Sequence, residues 1–183
     1  CSSLSGTSAT QAVTLTVTDG AGNSDDCVAY VTVIDNVAPV ANVTSLPTVT
    51  GECSATAIAP TATDNCAGSV TATTSDPLTY TAQGTYTITW IYEDNYGNTS
   101  QQTQTVVVDD QTAPVPDVTT LATATGECSA SVTAPTATDA CEGAITATTT
   151  DPTTYTAQGT YTVTWTYDDG NGNTSQQTQT VIV

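Results

Sequence analysis

The side chains best able to do chemistry in this chain are carboxylates that stand beside amides. Two segments, residues 94–98 and 169–173, read Asp-x-x-Gly-Asn, and each is preceded by a further acid, so that Glu93 adjoins Asp94 and Asp168 adjoins Asp169. Several oxygens of this kind are what Ca²⁺ binds in proteins. Asp, Gly and Asn are also the residues that a hairpin turn requires on its own. We therefore interpret both segments first as hairpin turns, with calcium binding as the alternative.

A second group of carboxylates precedes the two Ala-Pro dipeptides at 38–39 and 113–114. Asp35 stands before the first dipeptide, and the adjacent Asp109 and Asp110 stand before the second. Carboxylates at a boundary between domains could bind a divalent ion and stiffen the joint. The alternative is a solvated linker that proline and charge repulsion keep extended. Calcium is the one cofactor that the sequence suggests.

The charge balance excludes several classes of function. The 183 residues include 18 Asp and Glu but no Lys, Arg or His, which gives a formal charge of −18. Binding to nucleic acid needs a basic surface, which this composition cannot supply. The usual catalytic bases, oxyanion clamps and Schiff-base residues are also missing. We predict that the chain is not an enzyme, and no stretch is apolar for long enough to span a bilayer.

The elements that position these carboxylates recur with a step of 75 residues. Residues 35–108 and 110–183 align without a gap, and 52 of the 74 aligned pairs are identical. The same offset makes 1–34 the closing half of a more diverged copy. It aligns Val13, Leu15 and Val17 with Ile88, Trp90 and Tyr92. We predict the domains 1–34, 35–109 and 110–183, with the opening half of the first supplied either by preceding residues of a longer chain or by another chain.

Six cysteines without a Cys-x-x-Cys pair or any histidine indicate disulfides rather than zinc sites. Disulfides imply an oxidising compartment. Three pairs allow 15 connectivities, and closure of each repeat on itself would select one of them. That choice pairs Cys53 with Cys66, Cys128 with Cys141, and Cys1 with Cys27. Free buried thiols are the alternative.

Strand signals occur every 8–12 residues, which is typical of a β-sandwich or barrel. The clearest is 84–93, where aromatic and aliphatic residues alternate with threonine, so that one face is apolar. This alternation places Trp90 and Trp165 in the core rather than on a sugar-binding surface. We also expect strands at 100–108 and 43–50, the latter an edge strand that Pro47 interrupts, and a loop at 60–68.

The residues before the strongest strand, Gln-Gly-Thr-Tyr at 83–86, are similar to an immunoglobulin-type tyrosine corner. We therefore predict an all-β chain of tandem immunoglobulin-like β-sandwich modules. Each would have about seven strands and a disulfide, and the modules would form an extended array.

The order of strand, Asp-x-x-Gly-Asn turn, strand, acidic linker and Ala-Pro resembles hyalin-repeat (HYR-like) modules. It is seen at 18–23, 27–33 and 35–39, and it returns at 94–98 with 113–114 and at 169–173. The threonine-rich form with Gly-Glu-Cys and Thr-Asp-Asn-Cys is similar to repeats of giant SprB-type adhesins of gliding Bacteroidetes. This resemblance implies export by the type IX system, display on the bacterial cell surface, and adhesion or gliding motility. The implied partners are neighbouring repeats and the outer-membrane secretion and motility machinery.

We expect a structural stalk or filament segment of such an adhesin. Two alternatives remain open. Repeated modules could bind a glycan or a protein and gain affinity from their number. Chains could instead polymerise into a fibre by strand donation, with 1–34 completing a neighbour's sandwich.

Overall fold

The computed structural model describes residues 10–32 and 34–183. All named elements among these residues are β-strands, which confirms the predicted all-β class. The first two, β1 (Thr10–Thr18) and β2 (Ser24–Thr32), form an antiparallel hairpin. None of the described residues forms a helix that could span a membrane.

The first full copy of the repeat contains eight strands. They are β3 (Val40–Ala41), β4 (Val49–Gly51), β5 (Ala55–Thr56), β6 (Thr61–Asp64), β7 (Gly68–Thr71), β8 (Thr79–Tyr80), β9 (Gly84–Glu93) and β10 (Thr99–Val108). They are arranged in three sheets with the strand orders β3-β6-β7, β4-β10-β9 and β5-β8.

The second full copy repeats this arrangement. Its strands are β11 (Val115–Pro116), β12 (Ala124–Thr125), β13 (Ala130–Ser131), β14 (Thr136–Asp139), β15 (Gly143–Thr146), β16 (Thr154–Tyr155), β17 (Thr160–Asp168) and β18 (Thr174–Ile182). The sheet orders are β11-β14-β15, β12-β18-β17 and β13-β16. The repeat in sequence is therefore a repeat in topology, and both copies are consistent with immunoglobulin-like β-sandwiches.

The chain divides into two compact units. One comprises the described residues up to Val49 together with Thr56–Leu78 and Tyr86–Val106. The other comprises Thr50–Ala55, Thr79–Thr85 and Val107–Val183, so it takes in short segments of the first copy. The domain boundaries proposed from the sequence, after residues 34 and 109, remain predictions.

Alternation along the long strands builds the core of each unit. In the second unit Val163, Trp165 and Tyr167 of β17 are at most 1% exposed. They pack in one cluster with Val181 of β18 and Ala137 of β14, and thus fill the space between two sheets. Ile88, Trp90 and Tyr92 of β9 are buried to the same extent in the first unit. The predicted core position of both tryptophans is confirmed.

The predicted strand at 43–50 was largely wrong, because side chains take the place of a backbone ladder there. Gln102 Nε2 donates to the carbonyl oxygen of Val43 at 2.7 Å, and Gln104 Nε2 donates to that of Pro47 at 3.0 Å. Pro47 is not the cause of the missing strand, because the second copy has the same arrangement without a proline. Gln179 Nε2 donates at 2.9 Å to the carbonyl oxygen of Ala122, which replaces Pro47 in that copy. The predicted loop at 60–68 was also wrong in part, since it contains β6.

A tyrosine corner is present in the second copy. Tyr161, at the start of β17, donates its hydroxyl to the carbonyl oxygen of Ala157, four residues upstream, at 3.0 Å. This bond is a hallmark of immunoglobulin-type sandwiches. Tyr161 is the counterpart of Tyr86, where the sequence resembles such a corner, and the corner at Tyr86 itself remains a prediction.

Gly126 lies in a tight connection between β12 and β13 that has no room for a side chain. A Cβ atom at this position would overlap the carbonyl oxygen of Ser129. We expect Gly126→Ala to lower the free energy of unfolding by about 1–3 kcal/mol, because the backbone must shift to relieve the overlap. Urea denaturation measures the change. Gly20→Ala is the control, since a Cβ there meets nothing within 4 Å. Equal stability of the two variants would contradict the prediction.

Candidate metal centres

Three aspartates of the first unit converge at one end of the first full copy. Asp35, Asp64 and Asp94 are only 9%, 5% and 5% exposed. One carboxylate oxygen from each lies within 4.8 Å of the others. The sequence places these residues in the linker before β3, at the end of β6 and directly after β9, so the fold alone brings them together.

The turn after β9 fixes the Asp94 side chain. Its Oδ1 accepts the backbone N–H groups of Tyr96 and Asn98, both at 2.8 Å, and its Oδ2 accepts Asn98 Nδ2 at 2.7 Å. Burial by itself would raise the pKa of Asp94, but these bonds and that from the Gly97 N–H outweigh it and hold the pKa below its usual value. Gly97 supplies the positive φ, 90°, that the turn requires.

Backbone donors also orient the other two carboxylates. Asp64 Oδ1 accepts the N–H groups of Cys66 at 2.8 Å and Ala67 at 2.7 Å, and Asp35 Oδ1 accepts that of Val37 at 3.2 Å. The Oδ2 atoms of Asp35 and Asp64 are buried and have no hydrogen-bond partner. Asp35 and Asp64 are therefore each held in place through Oδ1, while the Oδ2 atom of each accepts no hydrogen bond.

Two side chains of the β9–β10 hairpin donate hydrogen bonds to the linker that precedes β3 and contains Asp35. Asn98 Nδ2, which binds Asp94, also donates to the main-chain oxygen of Asp35 at 3.3 Å. Ser100 Oγ donates to the carbonyl oxygen of the fully buried Pro39 at 2.5 Å. The Ala-Pro dipeptide and the Asp-x-x-Gly-Asn turn thus form one local structure rather than two separate features.

The second copy repeats this construction inside the second unit. Asp110, Asp139 and Asp169 are 4%, 4% and 7% exposed. Asn173 Nδ2 bridges Asp169 Oδ2 at 2.7 Å and the main-chain oxygen of Asp110 at 2.9 Å. The Oδ2 atom of Asp139 is buried without a partner, and its Oδ1 accepts the N–H of Cys141 at 2.7 Å.

Burial would raise the pKa of Asp169, but hydrogen bonds from the side chain and backbone of Asn173 and from the backbone of Asn171 and Gly172 lower it below its usual value.

Oxygens are the only ligand atoms that this second centre can offer. A carboxylate oxygen of Asp110 and one of Asp139 lie within 4.8 Å of each other and of the Cys141 sulfur. That sulfur is bonded to Cys53, so it is not a thiolate. Glu142, which replaces Ala67 of the first copy, stands nearby, since Asn171 Nδ2 approaches Asp110 Oδ2 at 3.5 Å and Glu142 Oε1 at 3.3 Å.

The β1–β2 hairpin of the diverged first copy contains the same kind of turn, and it shows which of these features the turn produces by itself. Asp19 Oδ1 accepts the N–H groups of Ala21 at 2.9 Å and Asn23 at 2.8 Å, and its Oδ2 accepts Asn23 Nδ2 at 2.9 Å. These bonds, led by that from the Asn23 side chain, lower the pKa of Asp19. Asp19 is nevertheless exposed. The turn therefore explains the Asp–Asn pair and not the buried acidic cluster.

The predicted metal ligands separate into two groups. Asp35, Asp94 and Asp110 lie in the clusters, and Asp169 is joined to Asp110 through Asn173. Their sequence neighbours Glu93, Asp109 and Asp168 are all exposed. Coordination of an ion by any of these residues remains a prediction.

Sequence reasoning missed Asp64 and Asp139. A signal was available, because Thr-Ala-Thr-Asp at 61–64 has period two, and Ala62 and Asp64 share the buried face of β6. The same holds for Ala137 and Asp139 of β14.

The predicted disulfide pairing within each repeat is wrong. Cys53 bonds to Cys141 with a Cα–Cα distance of 4.9 Å, so the bridge joins one copy of the repeat to the next within the second unit. Cys66 is bonded to a cysteine other than Cys53, and Cys128 is free and exposed. The prediction assumed that closeness in sequence decides the pairing, whereas the fold places Cys53 beside the next copy.

The predicted Cys1–Cys27 pair falls partly outside the described residues, which do not include Cys1. The Cys27 thiol is free and exposed.

Comparison with known proteins supports the repeat assignment for the second copy. Residues 113–183 match the model of a family described as "HYR-like domain with 4 cysteines". The matched segment holds two cysteines, Cys128 and Cys141, and the partner of Cys141 comes from the preceding copy. The HYR-like segment therefore does not close its own disulfide. No curated protein sequence matches the chain.

Among solved structures, the chain is similar to one described as a Ca²⁺-stabilized adhesin that helps an Antarctic bacterium reach out and bind ice. The two are 19% identical, with 92% of this chain and 55% of that chain covered, at a TM-score of 0.27. The chain thus spans about half the length of that protein. A likeness of this degree establishes neither a shared overall structure nor a shared function.

Proposed function

We propose that the chain is a non-enzymatic structural segment of a large extracellular adhesin, in which tandem HYR-like sandwiches serve as a stalk. The observation that carries the proposal is the repetition of one sandwich topology, with a disulfide from Cys53 to Cys141 between successive copies. A covalent bridge between copies resists separation under load. The HYR-like match of residues 113–183 supports an adhesion repeat.

The composition supports the same role. A chain of charge −18 without cationic side chains repels itself and its neighbours, which opposes collapse and aggregation of a long array. Trp90 and Trp165 are buried, so neither indole can serve as a platform on which a sugar stacks. Resemblance to SprB-type adhesins extends the proposal to display on a Bacteroidetes cell surface, export by the type IX system and a role in gliding. The partners would then be neighbouring repeats and the outer-membrane machinery.

The stalk proposal predicts that added copies increase length in proportion to their number. Chains carrying one, two or three extra copies of residues 109–183 should grow in maximum dimension by about 34 Å per copy, because a ten-residue strand spans roughly that distance. Small-angle X-ray scattering measures the dimension. Growth with the cube root of the mass, as in a globule, would contradict the proposal.

A second candidate, polymerisation by strand donation, is favoured by the β1–β2 hairpin. Val13, Leu15 and Val17 are 43%, 57% and 70% exposed. Their counterparts in the first full copy, Ile88, Trp90 and Tyr92, are buried. The opening half of a repeat could cover this face, either from the same chain or from a second one. Light scattering on the same samples separates the two cases, since donation requires a multiple of the monomer mass.

A further inference from the structure

We propose that each full copy of the repeat binds one Ca²⁺ ion at its acidic cluster. The first site is formed by Asp35, Asp64 and Asp94, and the second by Asp110 and Asp139 with Asp169 beside them. The proposal does not depend on the stalk function, because it rests on the charge and geometry of the clusters.

Electrostatics favours a bound cation in these clusters. A buried carboxylate is costly unless a positive charge or hydrogen bonds compensate it. The sequence contains no Lys, Arg or His, so no side chain can supply that charge. Asp35 Oδ2, Asp64 Oδ2 and Asp139 Oδ2 also lack any hydrogen bond. A bound cation is the compensation that remains for the charged form of these groups.

The spacing of the carboxylate oxygens also fits calcium. Calcium–oxygen distances of about 2.3–2.6 Å place opposite ligands about 4.6–5.2 Å apart. The three carboxylate oxygens of the first cluster, within 4.8 Å of one another, fit around such an ion. The Oδ1 atoms of Asp35 and Asp64 are occupied by backbone N–H groups, which hold the carboxylates in place before an ion arrives.

The ligand chemistry selects calcium among common ions. Zinc favours nitrogen and thiolate sulfur. This chain has no histidine, and the sulfur that lies in the second cluster, that of Cys141, is in a disulfide. Magnesium keeps several waters and demands a regular octahedron. A buried set of carboxylates on three separate segments suits the larger, more tolerant ion.

The decisive experiment measures calcium binding and melting temperature of the whole chain. Titration calorimetry on metal-free protein should give two calcium ions per chain, one for Asp64→Asn and none for the double variant Asp64→Asn/Asp139→Asn. Glu93→Gln, which removes an exposed charge beside Asp94, should retain two. No binding to the unmodified chain, or equal loss in Glu93→Gln, would overturn the proposal.

The difference in melting temperature between Asp64→Asn and the unmodified chain should have opposite signs in calcium and in EDTA. Calcium should raise the melting temperature of the unmodified chain by several degrees over that in EDTA, because it binds the folded state. Asp64→Asn should melt below the unmodified chain in calcium but above it in EDTA, where removal of a buried charge relieves repulsion. A purely structural role for Asp64 would lower the melting temperature in both solutions and would overturn the proposal, as would a calcium effect that survives in the double variant.

Discussion

Truncation of Trp90 or Trp165 to alanine is expected to destabilise the unit that contains it more than any other single substitution. Each indole is 1% exposed in the centre of its sandwich. Loss of a buried tryptophan side chain costs about 3–5 kcal/mol, from the transfer of apolar surface and from the cavity left behind. A small domain has a free energy of unfolding of only about 5–15 kcal/mol, so a large share of its stability is at risk.

A polar connection adds to the effect in the first copy. Trp90 Nε1 donates to Gln104 Oε1 at 3.0 Å, and Gln104 Nε2 donates to the Pro47 carbonyl oxygen at 3.0 Å. Gln104 is 6% exposed, so the alanine variant leaves a buried acceptor unpaired. Urea denaturation followed by circular dichroism measures the loss. Ile58→Thr is the matched control, because Ile58 is 84% exposed and the second copy has Thr133 there. A Trp165→Ala variant as stable as the control would contradict the assigned core.

Removal of the bridge between Cys53 and Cys141 is expected to have the second largest effect. The bonded residues are 88 positions apart in sequence. In the chain-entropy model a loop of this length contributes about 4.5 kcal/mol, and native disulfides of small secreted domains typically contribute about 2–5 kcal/mol. Cys53→Ala or Cys141→Ala should therefore lower the free energy of unfolding by an amount in this range.

Cys128→Ala is the matched control for Cys53→Ala. Cys128 occupies in the second copy the position of Cys53 in the first, yet it is free and exposed. Cys128→Ala should leave the stability within about 0.5 kcal/mol of the unmodified chain. Peptide mapping of the unreduced protein should recover the Cys53–Cys141 link. A Cys128–Cys141 peptide, or equal destabilisation by Cys128→Ala and Cys53→Ala, would show that bridges close within each repeat.

The parts of the fold that follow strand periodicity could be predicted from the sequence. Alternation in β9 correctly placed Trp90 inside, because a period of two leaves only one face to bury. The opening segment of each copy could not be predicted in this way. Its carbonyl oxygens are bonded by Gln102 and Gln104 of β10, and nothing in the local sequence shows where glutamine side chains of a later strand will reach.

The candidate site was predictable only in the parts that lie in recognisable turns or linkers. Asp94 and Asp35 were identified as separate features, whereas the fold joins them through Asn98. Asp64 was missed because it closes a short strand that was expected to be a loop. The link from Cys53 to Cys141 was missed for a related reason, since packing decides which copy a cysteine faces.

Anomalous scattering from crystals grown in calcium decides whether the buried carboxylates of the repeat hold the ion. We expect one anomalous peak per full copy, with an oxygen of Asp64 in the first and of Asp139 in the second at about 2.3–2.6 Å from the ion. Ordered water hydrogen-bonded to these oxygens, with no anomalous peak in either cluster, would rule out calcium binding there.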